Sequence, residues 1–116
     1  MALNETAKNL MLDALTAVAV YVSAHSADPG ATGTNELAGG SPAYARKSIT
    51  WNAASSANAD SSNQPVFDIE AGDTVAYVGL WSAVTAGTFY GSADVTDEAF
   101  GSQGTYTVTD FDISLT

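Results

Sequence analysis

Apolar side chains recur every three or four residues at Leu3, Ala7, Leu10, Met11, Ala14 and Leu15, the spacing that lines one face of a helix. Asn4 stands where an N-cap belongs, and Glu5 sits beside the positive end of the helix dipole. The pattern predicts a helix over residues 4–15. At Thr16 the period drops to two, with Val18, Val20 and Val22 alternating with Ala19, Tyr21 and Ser23, so a strand follows almost without a loop. Strand patterning returns in "AYARKSITW", "PVFDI", "TVAYVGLWS" and "TFYGSADV". In "TVAYVGLWS" apolar residues fall on both parities, which predicts a central strand covered on two sides. The last run, "TYTVTDFDISLT", changes parity near Thr109 and Asp110, where a bulge or bend is expected.

Between these runs lie two stretches without a period. Residues 26–42 carry "ADPG", "GATG" and "GGSP", and a loop of that length in a small domain has work to do or is tied down by packing. "NAASSANADSSNQ" reads as an exposed polar linker. Six or seven short strands behind one helix predict an all-β fold, an antiparallel, jelly-roll-like β-sandwich with an N-terminal α-helix. At 116 residues the chain forms a single domain, residues 1–116.

Charge then narrows the partners. Thirteen acidic residues against three basic ones give a net charge of −10, which repels polyanions and argues against nucleic acid. With 46% hydrophobic and 14% charged residues the chain is expected to fold. Many of its side chains are small, so one subunit has limited apolar area to bury. There is no cysteine, hence no disulfide and no thiolate chemistry. The apolar run "ALTAVAVYV" is too short for a membrane span and lacks the basic start of a signal peptide, so no membrane insertion is expected.

The only histidine, His25, opens "HSADPG". "AHSAD" holds the three residue types of a Ser-His-Asp constellation, but such members converge from separate segments, and close neighbours on a strand end point apart. The reading is therefore structural: His25 makes one hydrogen bond that fixes the following loop, and Asp28 before Pro29 and Gly30 closes an Asx turn. No catalytic residue is assigned. Asp68, Glu70 and Asp73, then Asp97 and Glu98, then Asp110 and Asp112, offer hard oxygens, but none matches the twelve-residue calcium loop. No metal or cofactor is assigned, a structural calcium being the only one these groups suggest beside a plain solvated face. The aromatics read as core or interface residues.

"YVSAHSADPGATGTNE", "GGSPAYARKSITWNAA" and "VGLWSAVTAGTFYGS", with the terminal "SQGTYTVTDFDISLT", resemble in order and spacing a family of small virion proteins of tailed bacteriophages. Many of these infect actinobacteria and are labelled tail-fibre or minor tail proteins. The resemblance covers nearly the whole chain. It implies a non-enzymatic component, made in the host cytoplasm and assembled on the virion in several copies, with itself and other virion proteins as partners. Capsid decoration is a second role it leaves open. A third reading, an adhesin for host surface glycans, needs Trp81 or Tyr90 exposed on a flat face, and a small hydrolase needs His25 against a serine hydroxyl and a pocket. For self-association the expected contacts are Leu3, Leu10, Met11 and Leu15 with Arg46, or the 26–42 loop reaching across a symmetry axis, giving a trimer or ring.

Overall fold

The computed structural model describes residues 1–116. Asn4 has extended backbone and its side-chain oxygen accepts the Ala7 N–H at 2.9 Å, so α1 (Glu5–Thr16) starts at the expected cap and ends one residue later than the pattern predicts. Within the chain the helix buries Leu12 and leaves most of its apolar stripe outward. Leu12 is 1% exposed, whereas Leu3, Leu10 and Met11 are 41%, 68% and 50% exposed. Two polar side chains one turn apart set this orientation: Asn9 accepts the Ala57 N–H at 2.9 Å and Asp13 accepts the Ala54 N–H at 2.8 Å. They hold Leu12 inward and turn the apolar stripe to solvent.

Eight strands follow: β1 (Tyr21–His25), β2 (Lys47–Ser48), β3 (Asn58–Asp60), β4 (Val66–Ile69), β5 (Thr74–Trp81), β6 (Phe89–Ala99), β7 (Gly104–Thr107) and β8 (Asp112–Ser114). One layer is a four-stranded sheet in the order β2-β1-β5-β6, and the other is a pair of ladders, β3 with β8 and β4 with β7. Every pairing is antiparallel. The fold is all-β and sandwich-like with one N-terminal helix, as the periodicity implies. Val22, Ala24, Val78 and Leu80 from the sheet pack on Phe67, Ile69, Val108 and Phe111 from the opposite layer.

β5 is the central strand the pattern predicts, buried on both faces over most of its length. The "polar linker" is not all linker. Ala59 within it is fully buried because β3 pairs with β8, a tertiary contact that no local propensity signals. β6 extends through the acidic Thr96–Ala99 segment, since Thr74 and Val75 of β5 still pair there with Ala99 and Glu98. Near Thr109 the chain breaks between β7 and β8, so Val108 and Phe111 both point inward despite their opposite parity.

Candidate functional site

Ser23 and His25 lie two residues apart on β1 and therefore share one face of the sheet. The His25 Nδ1–H is 2.8 Å from the Thr34 carbonyl, which only accepts, so this nitrogen carries the proton. Nε2 of the neutral ring is then an acceptor, and the Ser23 hydroxyl donates to it at 2.6 Å. Ser23 Oγ in turn accepts the Trp81 indole N–H at 2.8 Å. The chain of donors runs Trp81, Ser23, His25, Thr34. Burial pushes the His25 pKa below its ordinary 6.5 and keeps the ring neutral, against the opposing pull of the Thr34 carbonyl.

A serine donating to a histidine whose other nitrogen is held by an oxygen has the outline of a nucleophile and base. Here it is sealed. Ser23 and His25 have no exposed surface. Gly79 faces Ser23 across the ladder, and a Cβ there would stand 2.6 Å from Ser23 Oγ and 2.9 Å from His25 Nε2. No substrate atom fits beside the hydroxyl. The roof is the 26–35 segment: its Pro29 is buried, and a Cβ on Gly33, at φ +81°, would overlap the Trp81 ring.

The 26–37 part of the 26–42 loop is tied down by hydrogen bonds within the chain. Asp28 Oδ1 accepts the Gly30 N–H at 2.8 Å, the Asx turn expected from "ADPG". The Pro29 carbonyl accepts from the Gly33 and Thr34 N–H groups, Ser26 N–H donates to Asn35, and Leu37 N–H donates to Ala24. His25 holds the loop through one hydrogen bond, to the Thr34 carbonyl, and its other ring nitrogen bonds Ser23 on its own strand. Its serine is Ser23, not the Ser26 of "AHSAD"; the strand's two-residue alternation was the signal that would have found it.

Arg46 occupies the other end of this network. Its side chain is 9% exposed and its guanidinium lies 3.5 Å from the centre of the Trp81 ring. It donates to both Glu36 carboxylate oxygens and to the Ala83 and Ala86 carbonyls at 3.0 and 2.8 Å. Tyr44 completes the cluster. Its hydroxyl donates to Glu36 at 2.7 Å and accepts the Ala24 N–H at 3.0 Å, while its ring stacks on Phe67. Burial drives the Tyr44 pKa well above the phenol range. Arg46, named above as a contact for self-association, is thus engaged as a clamp inside the subunit. Leu15 likewise packs against the core. Trp81, 7% exposed beneath Arg46, is no glycan platform, whereas Tyr90 is 38% exposed.

The acidic groups do not gather as the sequence spacing suggests. Asp110 and Asp112 meet Asp60 of β3, their carboxylates within 4.8 Å of one another, because Asp60 and Asp112 stand opposite each other in the β3–β8 ladder. A hydrogen bond shared with Asp60, then desolvation and the Asp110 charge, push the Asp112 pKa from 3.8 up to about 6. Its stabilising, protonated form is fully present below 3.8 and is lost as pH rises through about 6. His25 works the other way: its contribution is present above 6.5 and is lost as pH falls below that value toward the lower folded pKa. Asp112→Asn is therefore expected to stabilise the chain more at pH 7.5 than at pH 4. Urea unfolding at the two values checks it, and a gain that does not grow with pH contradicts it.

A family model described as podophage GP4 fiber I protein gp80 matches residues 2–116. The chain belongs to that family. A search of curated proteins finds no match. Membership of this fibre family gives the chain a structural role in the phage tail appendage and a place on the virion. It bears out the resemblance to tailed-phage fibre proteins, while the actinobacterial type is no part of the matched description. No helix of this family member is long and apolar enough to cross a membrane.

Proposed function

We propose that the chain is a non-enzymatic tail-fibre component, present in several copies, whose buried polar network serves to hold its shape. The observation that carries this is the sealed Ser23–His25 pair within a fold where every buried side-chain polar atom has a partner. A hydroxyl and imidazole that already satisfy each other, with no path to solvent, do the work of a latch. Imaging of purified virions at a resolution that places this chain tests the reading. Density at the tail appendage supports it, density only on the head favours capsid decoration, and absence from the particle overturns both.

Copies meet, in this reading, through the outward stripe of α1, where Leu10 and Met11 are the most exposed large apolar side chains of the helix. Burying them against a neighbour supplies apolar area that the subunit alone does not use. Leu10→Glu with Met11→Glu is expected to abolish self-association in sedimentation equilibrium at micromolar concentration without changing the circular dichroism. A wild-type chain that sediments as a clean monomer sinks the contact. The fibre reading calls for no cofactor. Excess EDTA is expected to leave the melting temperature unchanged, and a fall of several degrees restored by calcium counts against that. Host glycan binding would have to use Tyr90, the exposed member of the two aromatics considered for it.

A further inference from the structure

The sandwich is open along one side. β6 is the outer strand of the four-stranded sheet and pairs only with β5. Its eleven residues present a free edge of roughly 35 Å, at about 3.3 Å per residue, carrying backbone donors and acceptors that no neighbouring strand takes up. Across the opening runs the 106–114 segment of the other layer. Between the two lips lie cavities of about 210 and 220 Å³, and both are lined by Ala93, Phe111 and Asp112, so together they form one groove. Ala93 and Val95 on one lip and Tyr106 and Ile113 on the other pack against the core yet stay only partly buried. The groove has an apolar floor beside an unused strand edge.

Its rim has one sign of charge. Asp94, Asp110 and Asp112 line it, all exposed, and no lysine or arginine lines either cavity. Asp97 and Glu98 continue the acidic run along β6. We infer that this groove receives an extended, lysine- or arginine-bearing segment of another virion protein, which adds to β6 as a strand. The free edge selects extended backbone, the two-residue alternation drops every second side chain onto the apolar floor, and the acidic rim pairs with cationic residues between them. The inference rests on the fibre reading for its setting.

A second copy fits the groove poorly. Pairing β6 with β6 sets acidic strands against each other between chains of net charge −10, and like charges facing across a ladder are unfavourable. Nor does the chain offer a cationic strand long enough to fill the groove. Lys8 lies in α1, Arg46 is engaged by Glu36, and Lys47 lies in β2, the other edge strand of the sheet but only two residues long, with its Ser48 carbonyl accepting from the Asn63 side chain.

The test uses purified virions and the free chain. Zero-length carbodiimide cross-linking is expected to join Asp94, Asp110 or Asp112 to a lysine of a different virion protein. Amide hydrogen exchange in β6 is expected to slow at least tenfold in the particle relative to the free chain. Asp94→Lys with Asp97→Lys, both at exposed positions, is expected to fold normally and to lose that protection. Links only to Lys8 or Lys47 of another copy, no links from the three aspartates, or equal exchange in both states overturn the inference. If the chain is missing from virions the fibre reading falls and takes this with it; if it is present with a freely exchanging β6, this inference falls alone.

Discussion

Replacing Arg46 with methionine is expected to destabilise the chain by about 3–5 kcal/mol, the usual cost of removing one partner from a buried ion pair. That is a large share of the roughly 5–15 kcal/mol that holds a typical domain together. The guanidinium is the only cation against Glu36, and the same group caps the carbonyls of Ala83 and Ala86 and covers the Trp81 ring. Its loss leaves a carboxylate held by the Tyr44 hydroxyl alone and frees the tip of the β5–β6 hairpin. Arg46→Met with Glu36→Gln should cost less than the two single changes summed, because the second removes the charge the first strands. Urea unfolding gives the four stabilities of the cycle. Loss of less than 1 kcal/mol from Arg46→Met would mean that this pair behaves as a surface salt bridge.

Gly79→Ala is expected to cost about 3 kcal/mol or more, combining the roughly 1–3 kcal/mol of an overpacked site with the similar penalty of a buried hydrogen bond broken. The new methyl meets Ser23 Oγ at 2.6 Å, with His25 Nε2 and Phe89 both at 2.9 Å, and none of these is the loose end of a flexible side chain. The same substitution made in a Ser23→Ala background should cost clearly less, because the methyl then occupies space the hydroxyl has left. Equal costs in the two backgrounds would show that Gly79 is needed for some reason other than the Ser23–His25 contact. Near-ultraviolet circular dichroism of Trp81, which donates to Ser23, follows the disruption directly.

Much of this architecture is legible in the sequence where a local rule acts alone. The Asn4 cap, the Asp28 turn and the doubly buried β5 each follow from chemistry within a few residues. What stays hidden depends on partners far along the chain. β3 is a strand because β8 pairs with it, and nothing in "SANAD" favours that state by itself. That Leu12 is the helix residue facing the core is not legible until Asn9 and Asp13 are seen to grip residues 57 and 54. Arg46 reads as a surface cation until Glu36 and the 83–86 carbonyls surround it. The carboxylate trio joins residue 60 to residues 110 and 112, a proximity that spacing cannot reveal.

The pairing of β1 with β5 also fixes an order of events in time. Ser23 meets Gly79 at the centre of the sheet, so β1 emerges from the ribosome well before its partner exists. At about 5–20 residues per second the intervening chain takes roughly 3 to 11 s to synthesise. During that interval Val22 and Ala24, wholly buried in the finished fold, lack the strand that covers them. Ladders that join such distant residues also form slowly once the chain is complete, because the closing of a long loop precedes any contact that rewards it. The nascent chain therefore passes through a window in which a strand that the finished fold buries is available to other chains, and the abundance of small side chains around that strand, with acidic residues elsewhere, keeps the hazard low.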